Sequence, residues 1–264
     1  QRYGVTDLLD NFSCACTKYS LPVRFLKRVQ LFVAKRAYKI ITPSNYLKKI
    51  ITNWGVSEDM IEVIYNGFTP PTFSEKKETI REDLNIRGYT VLSIGRLVPW
   101  KGFEGLIETI PSLRLEIPDV HLYIAGEGPD KELLKKKITE MELENHVTLL
   151  GKLPQDKLFE YIRASDVFVL NTSYEGFSHQ LLEVSALETP IVTTSVGGNI
   201  EIIEDHKNGI LVTYNDRAAI GKAIIELYQN RSLARLLAVS AQETAKEFSN
   251  ERMIDATVSA LLMS

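Results

Sequence analysis

Thiols are nearly absent from this sequence: Cys14 and Cys16 are the only cysteines among 264 residues. Two cysteines this close cannot make a disulfide framework, and no second ligand pair exists for a zinc site, so reduced thiols in a cytoplasmic protein are expected. No apolar run approaches the roughly 20 residues of a membrane span, and no signal peptide opens the chain. A basic excess is missing too. The 31 Lys and Arg are outnumbered by 34 Asp and Glu, for a net charge of -3, which argues against a nucleic-acid partner. Several catalytic signatures are also missing. There is no Walker A loop, no Gly-x-Ser-x-Gly elbow and no H-E-x-x-H, and Arg96 and Pro99 stand where a G-x-G-x-x-G loop would have glycines, which disfavours a nicotinamide enzyme. Of the four histidines, His121 and His146 begin predicted strands, where structural roles prevail. No Asp-x-Asp pair is present to hold a divalent metal, so neither a metal nor a cofactor is expected.

What is present is ordinary globular material, with 44% hydrophobic and 25% charged residues, enough for one large or two smaller α/β domains. Gln1 to Ser20 show little periodicity and read as a loop or a remnant of structure begun upstream; the first residue is Gln1, not Met, and a fragment is expected. From Pro22 to Lys39, Phe25, Val29, Phe32, Ala37 and Ile40 recur at helical spacing, with Arg24, Lys27, Arg28, Lys35 and Lys39 on the other face. Between Asn11 and Ser57 there are nine Lys or Arg and no Asp or Glu. That basic helix fits a solvated face over a domain core, or a peripheral contact with an anionic membrane surface or acceptor, at the inner face of the membrane. Tyr38 to Thr42 reads as a strand, Ser44 as the cap of a helix from Tyr46 to Trp54, and Met60 to Ile64 as another strand. Thr69-Pro70-Pro71-Thr72, with Lys76 and Lys77 after it, reads as an interdomain linker.

Beyond the linker, apolar strands at Thr90 to Ile94, His121 to Ala125, His146 to Leu150, Val167 to Leu170, Ile191 to Thr194 and Gly209 to Val212 alternate with helical patterns at Phe103 to Glu116, Asp130 to Met141, Asp156 to Ala164 and Ser178 to Leu187, and a short turn near Asn199 to Glu204. This is the pattern of an α/β domain with a doubly wound parallel sheet covered on both faces. Helices at Asp216 to Gln229 and Ser232 to Phe248 close it. A further helix after Ser249 places Ile254, Val258, Leu261 and Leu262 on one stripe that is expected to be buried.

The residues that carry chemistry gather at predicted strand ends, where parallel α/β sheets bind ligands. Gly95 allows close backbone approach, and Arg96 and Lys101 bracket the turn after the first sheet strand, as phosphate-binding residues or as plain surface charges on a loop. Gly126-Glu127-Gly128-Pro129 and Val196-Gly197-Gly198-Asn199 follow two other strands. Between Ser173 and Pro190, Glu175 lies in a loop and Glu183 on the helix that follows, flanking a helix start that offers unpaired amides to an anion. Two acids around such a terminus suit a ligand that presents hydroxyls on both sides of a phosphate, a sugar and a ribose.

With these pieces collected, the chain resembles the retaining nucleotide-sugar glycosyltransferases of GT-B architecture, specifically glycosyltransferase family 4. Gly95-Arg96 with Lys101-Gly102, Gly126 to Pro129, Ser165-Asp166, Glu175-Gly176-Phe177 with Glu183, Thr189-Pro190, Gly197-Gly198 and Asn208-Gly209 occur in the family's order, and Pro43-Ser44 and Asn66-Gly67 extend the likeness back to about Tyr38. Val184 and Glu188 depart from the family pattern at positions that concern packing. The resemblance implies a complete donor-binding, Rossmann-like domain over residues 71–248, the remainder of an amino-terminal acceptor domain over 1–70, and a helix over 249–264 crossing back to it. No match to the family's opening strand, glycine-rich loop or acceptor-side histidine precedes Tyr38, so on the order of 100 residues are expected to be missing upstream. It also implies that Arg96 and Lys101 grip the donor diphosphate and act with Glu175 in catalysis, without metal and with retained anomeric configuration. Gly95 and Gly126 would allow the donor's close approach. Glu175 with the backbone of Gly176 and Phe177 would hold the transferred sugar, and Ser178 to Leu182, His179 included, would present amides to phosphate. Glu183 would take the ribose hydroxyls, and Lys152 and Leu153 would lie near the base. The implied partners are a nucleotide diphosphate sugar donor and a sugar, lipid or polysaccharide-precursor acceptor; the alternative is a donor-binding fragment without turnover.

Overall fold

The computed structural model describes residues 21–73 and 75–262; the expectations for Gln1 to Ser20, both cysteines and Met263 lie outside the described residues. The chain divides into two compact units, Gln1–Gly67 with Asn250–Ser264, and Phe68–Ser249.

In the first unit, α1 (Leu21–Arg36) precedes a two-stranded parallel ladder of β1 (Ile40–Thr42) and β2 (Ile61–Val63), with α2 (Asn45–Asn53) between them in sequence. Ser44 accepts a hydrogen bond from the Leu47 amide at 3.1 Å and so caps α2, and Lys39 pairs with Glu62 across the ladder at 2.5 Å. Two expected faces are corrected here. Phe25, Val29 and Phe32 of α1 do not lie over a core but are 67%, 42% and 56% exposed, with the Arg36 guanidinium 4.2 Å from the Phe32 ring centre. The terminal helix, Asn250–Leu262, likewise leaves Ile254, Val258, Leu261 and Leu262 exposed. Its inward face is Met253, Ala256 and Ala260, at helical spacing; Ala260 is buried, and the Met253 sulfur accepts from the Gly67 amide at 3.3 Å.

In the second unit, α3 (Lys77–Asp83) leads into a six-stranded parallel sheet. The strands are β3 (Thr90–Ile94), β4 (His121–Ala125), β5 (Val147–Gly151), β6 (Val167–Leu170), β7 (Ile191–Thr194) and β8 (Ile210–Val212), ordered β5-β4-β3-β6-β7-β8. Every residue of β3, β6 and β7 is buried, as strands covered on both faces must be. The covering helices are α4 (Phe103–Ile107), α5 (Ile110–Glu116), α6 (Lys131–Glu140), α7 (Gln155–Ala164), α8 (His179–Ala186), α9 (Arg217–Gln229) and α10 (Arg231–Ala245). Leu106, Ile107, Ile110 and Leu113 pack with Leu122, Ile124, Val169, Val192 and Ile224 in one core.

The structure modifies the predicted elements in three places. The single helix expected over Phe103 to Glu116 is two, because Pro111 has no N–H to continue the ladder and sits instead in the first turn of α5. Lys77, read as linker, opens α3, whose Ile80 packs with Ile86 and Ala164. The second unit begins ahead of the prolines, since the Phe68 amide bonds the Phe248 carbonyl at 2.8 Å and its ring meets Phe159 edge-on at 5.7 Å.

Strand order places the site. From β3 the chain builds β4 and β5 to one side, then returns to β6 on the other side of β3. The loops after β3 and β6 therefore part at the carboxyl edge and leave a crevice, the switch point where open α/β sheets bind ligands.

Candidate active site at the switch point

After β3 the chain runs through Gly95 and Arg96 into a 3-10 turn, Pro99–Lys101, ended by Gly102 in the left-handed conformation. The loop after β6 carries Glu175 toward it. Lys101 Nζ donates to Glu175 Oε2 at 2.6 Å, with the two side chains only 13% and 20% exposed. Arg96, by contrast, is exposed and in no ion pair among the described residues. Glycines let these loops interlock. At Gly126 (φ 144°) a Cβ would lie 1.9 Å from the Gly95 carbonyl oxygen, and at Gly197 (φ 56°) one would lie 1.9 Å from that of Glu175. The Gly198 amide donates to the same Glu175 oxygen at 2.9 Å, so the Gly197-Gly198 pair acts as a backing for the acid loop.

On the β4 and β5 side, Gly95, Arg96, Gly126, Lys152 and Leu153 line one cavity of about 240 Å³, together with Glu127 and Gln180. Five of the predicted residues thus meet in one place. Gln180 belongs to the Ser178 to Leu182 stretch expected to meet phosphate.

The start of α8 narrows the set of available amides. Ser178 is its N-cap, its hydroxyl accepting from the Leu181 amide at 3.3 Å, while the Leu182 amide bonds the Ser178 carbonyl at 3.3 Å. Leu182 is also fully buried. It presents no amide to a ligand, and that part of the expectation is corrected: the helix itself consumes the group. His179 and Gln180, the first two helical residues, keep amides without intrahelical partners. Phe177 is buried with its ring 5.6 Å from that of Phe248, which anchors the loop just before the helix.

Glu183, one turn into α8, is half-buried, and its carboxyl is pushed above the usual range by burial alone, with no opposing charge. A folded pKa above the unfolded one means the folded state binds the extra proton. The carboxylate's burden on stability is therefore absent below the unfolded value of 4.5 and grows as pH rises through the folded pKa. Glu183→Gln should raise the melting temperature at pH 7 and leave it unchanged well below pH 4.5; thermal melts at the two pH values check this, and equal shifts at both would contradict it. A carboxyl whose charged form burial disfavours suits a ligand that donates hydrogen bonds to it.

Other motif residues are structural. His121 Nε2 pairs with Thr148 Oγ1 at 2.8 Å and His146 Nδ1 with the Val120 carbonyl at 2.9 Å. Asp166, at the opposite sheet edge, accepts from the Thr90 amide at 2.8 Å and from Arg81 at 3.2 Å. Among the described residues, no group of three or more His, Cys, Asp or Glu is arranged to hold a metal ion, and no helix is long and apolar enough to cross a membrane.

The chain is similar in sequence and fold to known proteins. Residues 76–247 match the family described as glycosyl transferases group 1. An uncharacterized glycosyltransferase of Methanocaldococcus jannaschii, MJ1607, is 32% identical over 202 residues, covering 74% of this chain and 52% of that protein. The lipopolysaccharide core biosynthesis glycosyltransferase LpsE of Rhizobium meliloti is 34% identical over 172 residues, 65% of this chain and 49% of that one. The chain thus spans about half the length of the curated relatives it matches. Among solved structures, Anabaena Alr3699/HepE in complex with UDP superposes with a TM-score of 0.84 at 24% identity, over 94% of this chain and 69% of that one. Sucrose-phosphate synthase from Thermosynechococcus elongatus does so with a TM-score of 0.80 at 23% identity, over 95% and 63%. The fold is that of the GT-B glycosyltransferases, and the chain belongs to the glycosyl transferases group 1 family.

Proposed function

We propose that this chain binds a nucleotide diphosphate sugar at the switch point and serves its transfer to an acceptor with retained anomeric configuration and without a metal. The observation that carries this reading is the Lys101–Glu175 pair, 2.6 Å apart and largely buried at the crevice beside the start of α8. The diphosphate lies against Arg96, Lys101 and the amides of His179 and Gln180. As the bond to the sugar breaks, negative charge grows on the departing phosphate oxygen, and the two cations stabilise it. Lys101 turns from Glu175 to that oxygen, and Glu175 takes hydroxyls of the sugar instead. Glu183 accepts from the ribose, and Lys152 and Leu153 border the base. Neither acid forms a bond to the sugar; the acceptor hydroxyl attacks on the face the diphosphate leaves and gives its proton to the departing phosphate oxygen. UDP in the Anabaena HepE complex supports the ligand class.

In this reading Phe68–Ser249 is the donor unit, the first unit belongs to an acceptor domain, and the protein works in the cytoplasm. The test is a thermal-shift panel of nucleotide sugars and free nucleotides run on this chain in chelator, since a ligand that binds only the folded state raises its melting temperature. A shift with UDP or GDP and their sugars is expected, unchanged by chelator. No shift with any of them, or one that appears only with magnesium or manganese, contradicts the reading.

The acceptor is a sugar, a lipid or a polysaccharide precursor. The exposed apolar face of α1, with Phe25, Leu26 and Phe32 beside Lys27, Arg28 and Lys35, favours a peripheral contact with an anionic membrane surface. Flotation with vesicles containing phosphatidylserine should be strong at low salt. It should fade above physiological ionic strength, where the Debye length is about 8 Å. Absence of flotation even at low salt would leave α1 without a lipid role.

A further inference from the structure

We propose that Asn171 is a positioning residue for the reaction, acting through Lys101. The inference rests on the reading above, in which Lys101 meets the donor diphosphate. Asn171 directly follows β6 and is 1% exposed. Its Nδ2 donates to the Gly102 carbonyl and to Asn215 Oδ1, both at 2.9 Å, while its Oδ1 accepts from the Asn215 amide at 2.9 Å. Gly102 is the residue after Lys101. One buried amide therefore ties the turn that carries Lys101 to the loop that carries Glu175, and both to the loop after β8.

The neighbours of Asn171 fasten the same turn. The Trp100 carbonyl accepts from the Ser173 amide at 2.9 Å and from the Thr172 hydroxyl at 3.2 Å. Tyr214, beside Asn215, donates to the Pro99 carbonyl at 3.1 Å. The fit is close at both ends: a Cβ at Gly102 would lie 2.5 Å from Asn171 Nδ2, and one at Gly105 would lie 2.4 Å from Asn215 Oδ1. Asn215 itself sits at φ 57°, which asparagine tolerates and most residues do not. The site needs a donor and an acceptor on one planar group. Aspartate has the shape of asparagine but would turn an oxygen toward two oxygens, the Gly102 carbonyl and Asn215 Oδ1.

A tie of this kind sets where Lys101 Nζ can reach, and hence how well it grips phosphate. Its consequence is coupling, which a double-mutant cycle measures. The readout is affinity for UDP and for GDP, by titration calorimetry on the whole chain, using whichever binds more tightly. Asn171→Asp should weaken binding by on the order of tenfold, the usual worth of a hydrogen bond to a charged or buried group. In a Lys101→Ala background it should cause no further loss. Asn215→Gly removes the Oδ1 acceptor while keeping the left-handed backbone, and should show a smaller loss with the same coupling; it carries the cycle if Asn171→Asp does not fold. Equal fold-losses in both backgrounds, or no loss in the first, overturn the inference. If Lys101→Ala alone changes neither affinity, or neither nucleotide binds, the reading of the site fails first and the inference falls with it.

Discussion

Lys101→Ala should lower turnover of the nucleotide sugar by on the order of 10²–10³, the loss typical of removing one group aimed at developing transition-state charge. Lys101 is the better placed of the two cations because it is largely buried beside Glu175, where low local dielectric strengthens its field. Arg96 is exposed, so Arg96→Ala should cost less and depend more on salt. Lys101→Met, which keeps the stem and removes the charge, should lose as much as the alanine variant. Lys101→Arg should not restore activity. Arginine presents a planar fork where lysine presents a compact point charge, so it does not reproduce the 2.6 Å single-atom contact that Lys101 Nζ makes. Release of nucleoside diphosphate from the sugar donor measures all four. A Lys101→Ala enzyme within a few-fold of wild type would remove the lysine from the chemistry.

The second large effect separates the two acids. Glu183→Ala should weaken free nucleoside diphosphate and intact donor alike, by about 1.5–3 kcal/mol for hydrogen bonds to a charged group, or roughly ten- to a hundredfold. Glu175→Ala should leave the free nucleotide nearly untouched and harm only the sugar-bearing donor. Glu183 sits within α8, half-buried and raised in pKa by desolvation, which fits an acid reserved for a ligand's hydroxyls. Glu175 is engaged by Lys101 on the loop before it. Titrating each variant with nucleotide and with nucleotide sugar gives the contrast; equal losses of free nucleotide in both would end the assignment.

Much of the sheet was legible because strands buried on both faces leave unbroken apolar runs. Thr90–Ile94, Val167–Leu170 and Ile191–Thr194 fall where their runs predict, and so does His121–Ala125, where His121 and Tyr123 are only half-buried. α3 was not, since its buried side is little more than Ile80 amid charged residues. The terminal helix carries its large apolar side chains on the exposed side and buries Ala260, so residue size does not mark its inward face. The candidate site can be read from the sequence only as residues at strand ends, not as an arrangement. Lys101 and Glu175 are 74 positions apart, and only the strand order, with β6 returning beside β3, brings them together. The Asn171–Asn215 tie was invisible for the same reason: each residue alone reads as loop punctuation.

In this reading the crevice between the loops after β3 and β6 holds a nucleotide diphosphate. A crystal structure of this chain with UDP or GDP tests it most directly. The diphosphate is expected against Arg96, Lys101 and the amides of His179 and Gln180, with the ribose hydroxyls on Glu183 and the base beside Lys152 and Leu153. A nucleotide found away from these loops, or one in the crevice with its ribose turned from Glu183, would contradict it.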